Sequence, residues 1–148
     1  MKSISIILVL FILSFSVFPY PLTPDKNVSP GEYCTVEDKD FDHFRYPENI
    51  AYCRREVSSW LKDEVCKRDG VNNRRPNYTV DHIIPLSLGG NNYKTNLWCQ
   101  HRDILSAPME YYYYELVRDG KIRRLDAVSH LLRCKFHRDC GNWLTTTN

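Results

Sequence analysis

Six cysteines, Cys34, Cys53, Cys66, Cys99, Cys134 and Cys140, constrain this 148-residue chain more than any other feature. All of them follow an apolar leader, and an even count in an exported chain reads as three disulfides formed in an oxidising compartment. Spacing alone does not choose among the many connectivities that six cysteines permit. Cys134 with Cys140 is the most local closure, and Cys34 with Cys53 is the second pairing expected.

The leader is Lys2 followed by an almost unbroken apolar run from Ile4 to Phe18. It is short for a bilayer span and stands where the h-region of a secretory signal belongs, so residues 1–18 are expected to be a signal peptide. The small residues Ser14 and Ser16 suggest cleavage after Ser16, with a cut nearer Tyr20 as the alternative. The mature protein is then expected to be secreted or periplasmic. Residues 19–32 carry four prolines and no apolar period, which reads as an extended arm. One domain is expected over residues 33–148.

Charge excludes little by itself. The chain carries 20 basic and 18 acidic residues, a formal +2 that becomes +1 once Lys2 is removed, so no global field announces a nucleic-acid binder. Locally, residues 32–48 are acidic. Residues 54–75 are basic, with Arg54, Arg55, Lys62, Lys67, Arg68, Arg74 and Arg75. Such a run is either a solvated helix face or a stripe that faces phosphate.

Periodicity outlines the elements. Ile50, Cys53, Val57, Leu61 and Val65 keep to one helical face and predict a helix ended by Gly70. A strand is expected from Tyr78 to Ile84, limited by Pro85, with a second short strand around Tyr93 to Trp98. Met109, Tyr112, Tyr113, Leu116 and Val117 predict a helix with Ser106 as N-cap and Gly120 past its end. Leu125, Val128, Leu131 and Leu132 predict the last helix, and the fold class is α+β. The Tyr111–Tyr114 run reads as core plus rim rather than a stacking platform.

The chemistry concentrates in "VDHIIPLSLGGNNYKTNLW", Val80 to Trp98. Hydrolysing a phosphodiester requires a base to deprotonate water, a cation to stabilise developing charge, and a group that orients the base. Asp81 and His82 are a carboxylate and an imidazole side by side. In a regular strand they would point to opposite faces, and an irregular strand end before Pro85 is what would let them cooperate. Mg2+ is the natural cation for a carboxylate ligand. Gly89 and Gly90 suit a turn, though a backbone without Cβ could also approach a phosphate.

"DHIIPLSLGG" followed by "NLW" resembles the HNH endonucleases, whose ββα-metal motif is two antiparallel strands and a helix around one divalent cation. The resemblance implies a ββα-metal hairpin-plus-helix core, surrounded here by additional helices and disulfide-bonded. It implies Asp81 as metal ligand, His82 as general base and Asn96 as the residue that holds the histidine in orientation. It also implies 5′-phosphate and 3′-hydroxyl products. The cation is expected to be Mg2+, with Mn2+, Ni2+ and Zn2+ as alternatives. The chain departs from the pattern where many members carry a His or Asn on the helix, since Ile104 and Leu105 stand there. His101 is the expected replacement ligand, with Gln100, Asp103 and Glu110 as fallbacks. Arg74, Arg75, Lys94 and Arg102 flank the motif and are expected to contact phosphates, giving a nuclease with little sequence preference acting on DNA rather than RNA. His43, His130 and His137 are expected to be structural.

Two other functions fit the residues. Cys134, His137 and Cys140 with Cys99 and His101 could form a zinc site in an exported cysteine-rich binding module. Alternatively, the HNH-like hairpin survives as a catalytically dead scaffold that binds nucleic acid or a protein.

Overall fold

The computed structural model describes residues 21–73, 76–104 and 106–141. The signal peptide expected at 1–18, together with Arg74, Arg75 and Leu105, lies outside the described residues. Mixed helices and small antiparallel sheets make up the fold, which is α+β and disulfide-bonded.

β1 (Phe41–Arg45) and β2 (Ile50–Cys53) form an antiparallel hairpin in which Arg45 opposes Ile50. The helix expected to begin at Ile50 therefore starts later, as α1 (Ser59–Arg68). Two features outweigh the apolar spacing. Cys53 is tied to Cys34 beside the β1 ladder, and the Ser58 hydroxyl accepts the Leu61 N–H, a cap that fixes the helix start within the periodic stretch. At the other end Gly70 adopts a left-handed φ of 82° just past the C-cap Asp69, as its position suggested.

β3 (Tyr78–His82) pairs antiparallel with β4 (Leu97–His101), with Tyr78 opposite His101, Asp81 opposite Trp98 and His82 opposite Leu97. The first strand stops two residues short of Ile84 because the Ile84 backbone bonds to a side chain, that of Asn96, rather than to a ladder partner. Residues Lys94–Asn96 form a 3-10 turn, which delays the second strand to Leu97. α2 (Ala107–Arg118) and α3 (Arg124–His137) follow as an adjacent helix pair, the last of the described elements.

Strand alternation gives the β3–β4 sheet two distinct faces. Val80, Leu97 and Cys99 pack with Val65, Cys66 and Val71 around α1, where the Cys66–Cys99 disulfide joins helix to strand. The face with Asp81, Trp98 and Gln100 turns to α2 and α3. A second apolar cluster joins Ile84 and Leu88 of the β3–β4 loop to Met109, Tyr113 and Val117 of α2 and to Ala127, Val128 and Leu131 of α3. Tyr113 is core while Tyr111 is exposed, so the tyrosine run divides as expected.

Cys34–Cys53 and Cys134–Cys140 form as expected, although Cys53 and Cys66 lie closer in sequence, and Cys66–Cys99 is the third pair. No cysteine is free, which fits an oxidising environment. Among the described residues no helix is long and apolar enough to cross a membrane. Part of the expected arm belongs to the domain: the Ser29 hydroxyl bonds to Leu97 O, Gly31 N to Thr95 O, and Asn91 N to Glu32 O.

The Gly-Gly pair is accounted for by the fold. Gly89 sits at φ 85°, and a Cβ on Gly90 would lie 1.9 Å from the carbonyl oxygen of Ile84. Gly90→Ala is expected to destabilise the protein by on the order of 3 kcal/mol, read as a lower urea midpoint. An unchanged midpoint would show that this loop is free to shift.

Candidate functional site

Asn96 organises the loop that follows β3. It is fully buried, and every polar position of its side chain is used. Its Oδ1 accepts from Ile84 N at 2.8 Å and from Glu32 N at 3.2 Å, and its Nδ2 donates to Ile84 O at 3.0 Å and Asn91 O at 2.8 Å. One amide thus ties both ends of the loop and the docked arm together. The Ile83 N–H also bonds to Asn96 O at 2.7 Å, so Asn96 fixes the strand end from which His82 projects. It acts on the histidine through the backbone and makes no hydrogen bond to the ring.

Asn92 makes that contact. His82 is 2% exposed, and its Nε2 lies 3.0 Å from Asn92 Oδ1. The Asn92 amide nitrogen is committed as a donor, to the Asp40 carboxylate and to Arg54 O. Asn92 Oδ1 must therefore accept, which assigns the ring proton to Nε2 and leaves the Nδ1 lone pair as the basic position. Nδ1 has no hydrogen-bond partner among the described residues. Burial is the main cause that lowers the His82 pKa to about 4, and the Arg55 and Lys135 charges add to it against the Asn92 bond and Asp81. The imidazole is consequently neutral at physiological pH, the form a general base requires.

Asp81 faces the other way. Its Oδ2 accepts from Lys135 Nζ at 3.0 Å and from the Ser106 hydroxyl at 3.2 Å. Lys135, 6% exposed, also donates to Glu110 Oε1 and to His82 O, each at 2.5 Å. Burial works against the Lys135 charge, but the two carboxylates outweigh it and hold the ammonium protonated. Burial alone would raise the Asp81 pKa, yet the Lys135 ammonium holds that carboxyl below its usual range. Glu110 is pushed up by burial, which Lys135 offsets only in part. The Ser106 hydroxyl, expected to cap α2, serves this cluster and makes no cap bond.

The expected metal pair, Asp81 with His101, is not assembled. His101 opposes Tyr78 three positions along from the Asp81–Trp98 pair, and alternation puts it on the opposite sheet face. Its ring packs edge-on against Tyr78, and its Nδ1 lies 3.3 Å from the Asp103 carboxylate. Of the fallbacks, Gln100 donates to Ile104 O and Asp103 turns to His101, whereas Glu110 does converge on Asp81. What lies between Glu110 and Asp81 is the Lys135 ammonium. Two carboxylates bridged by a buried ammonium leave no position between them for Mg2+ or any other divalent ion.

The zinc alternative fails for a related reason. Cys99, Cys134 and Cys140 are all in disulfides and offer no thiolate, and the grouping of Asp38 with Cys34 and Cys53 contains a disulfide too. Among the expected phosphate contacts, Lys94 pairs with Glu64 at 3.6 Å and stands over the Trp60 ring of α1, and Arg102 is exposed beyond β4. Arg54 and Arg55, both exposed, flank the imidazole instead: Arg54 through its carbonyl on Asn92, Arg55 through its charge.

Sequence reasoning missed Asn92 and Lys135. Asn92 follows Gly-Gly-Asn and reads as one more turn residue. Lys135 left a legible trace, because it continues the Val128, Leu131 stripe of α3 and so is a lysine at a core position. No protein-family model matches this chain, and neither does any curated protein or solved structure.

The imidazole predicts a pH dependence of stability. The unfolded ring takes its proton near 6.5 and the folded one near 4, so across that window the unfolded state binds more protons. Stability is expected to fall as pH drops from about 6.5 to about 4, by up to roughly 3 kcal/mol. Denaturant titrations of wild type and His82→Asn at several pH values check this. Equal slopes against pH in the two proteins would remove His82 as the cause.

Proposed function

We propose that this chain is an exported HNH-like endonuclease that hydrolyses nucleic-acid phosphodiesters with His82 as general base. The observation that carries the proposal is the imidazole itself: neutral, fixed in one tautomer by the Asp40–Asn92 relay, and with an unpartnered basic Nδ1. The succession β3, loop, β4, α2 agrees with the strand–strand–helix order of a ββα core, and Asn96 clamps its loop.

In this mechanism Nδ1 takes a proton from water as its oxygen attacks phosphorus. The P–O3′ bond breaks, and the departing oxygen takes a proton from solvent, leaving 5′-phosphate and 3′-hydroxyl ends. The Arg55 guanidinium, exposed and near enough for its charge to act on the imidazole, holds the phosphate and offsets its charge. Such contacts position a backbone without reading bases, and DNA is the favoured substrate over RNA. No step is assigned to a divalent cation, because Lys135 already engages both carboxylates of the cluster. Secretion or delivery to a periplasm agrees with the disulfides and with the apolar leader.

One observation favours a second function, a scaffold that binds without cutting. His82 is deeply buried, and substrate must reach Nδ1 for any cleavage. Incubating oxidised mature protein with plasmid DNA, and separately with RNA, separates the two. The wild type is expected to nick DNA, His82→Ala to lose at least about a hundredfold in rate, and Asn92→Ala to lose less. Equal retention of plasmid by wild type and His82→Ala, with no cleavage by either, would establish the scaffold and end the enzyme proposal.

A further inference from the structure

We propose that Lys135 is a built-in counter-cation occupying the divalent-cation position of the hairpin–helix core, and that removing its ammonium turns Asp81 and Glu110 into a binding site for Mg2+ or Mn2+. The proposal rests on the hydrolase assignment only in saying which cation position is meant. Everything else follows from the cluster.

Three oxygen atoms from two separate elements converge on one nitrogen: Asp81 Oδ2 at 3.0 Å, Glu110 Oε1 at 2.5 Å and His82 O at 2.5 Å. Asp81 and His82 belong to β3, Glu110 to α2, and the nitrogen arrives from α3. Two carboxylates and a carbonyl are hard donors of the kind that bind Mg2+, Mn2+ or Ca2+. The Ser106 hydroxyl on Asp81 supplies the outer hydrogen bond that orients a ligating carboxylate. An ammonium and a divalent ion cannot share the position, because both need the same oxygens and like charges repel there.

Charge explains why one cation must be present. Glu110 and Asp81 are both only partly exposed, and two such carboxylates facing each other without a counter-charge are unfavourable. The chain supplies the charge covalently. A metal site would take that charge from solution, whereas here it is a fixed side chain.

Mn2+ titration of the purified oxidised protein, followed by the loss of the free-ion electron paramagnetic resonance signal, tests the exchange without relying on cleavage. Wild type is expected to show no saturable site. Lys135→Ala is expected to take up one Mn2+ with at least about a hundredfold gain in affinity over wild type and to melt at a higher temperature when the ion is added. The double variant Asp81→Asn/Lys135→Ala should lose the site. If Lys135→Ala folds only with Mn2+ present, the proposal stands. It is overturned if wild type binds Mn2+ in a manner abolished by Asp81→Asn, if folded Lys135→Ala binds none, or if that variant stays unfolded with and without the ion. A chain that proves to cut nothing leaves these outcomes readable, since none of them depends on activity.

Discussion

A buried ammonium sets the arrangement of the C-terminal half of this protein. Lys135 reaches from α3 to a carboxylate on β3, a carboxylate on α2 and a backbone carbonyl at the end of β3, so the elements around the hairpin meet at one atom. Burying such charges costs solvation, and the return comes only when every partner is in place. The cluster therefore specifies as much as it stabilises. A one-residue slip of β3 would turn Asp81 away from α2 and α3 and bring His82 into its position, which the geometry forbids.

The opposite side of the same strand end is organised by amides rather than charges. Asn96 holds the loop ends and the docked arm, and Asn92 links the imidazole to Asp40 and to Arg54 O. Asp40 immediately precedes β1 and Arg54 immediately follows β2, with Arg54 N bonded to Asp40 O. The N-terminal hairpin, stapled by Cys34–Cys53, is thus the support of the histidine's relay. Adjacent residues in one strand face two environments, one that keeps an imidazole neutral and one that keeps a carboxylate ionised.

Much of this was legible in residue order. The α+β class, the hairpin around Asp81, the two C-terminal helices and the Cys134–Cys140 pair follow from periodicity, turn residues and local spacing. The β1–β2 hairpin was not, because Ile50 and Cys53 are spaced three apart and satisfy a helical face as readily as a strand whose ends are buried. Asp81 and His82 stand out by type, but their separation onto two faces follows from a regular ladder that continues to His82. A strand irregular before Pro85 would have joined them. The convergence of Glu110 and Lys135 on Asp81 depends on how α2 and α3 pack, and packing is a long-range property that spacing does not carry. Of the two signals that stood in the sequence, a lysine in an apolar helical stripe was the more informative. A second asparagine after a glycine pair was indistinguishable from turn chemistry.

The order in which the cluster's members occur along the chain has a consequence for biogenesis. Asp81 and Glu110 are synthesised before Lys135, whose helix comes last among the described elements. Until that helix arrives, the partly emerged chain holds two carboxylates that its fold would bring face to face without a counter-charge. Such a nascent chain lacks the counter-charge that favours closing this part of its core, so closure there is expected to await the arrival of α3.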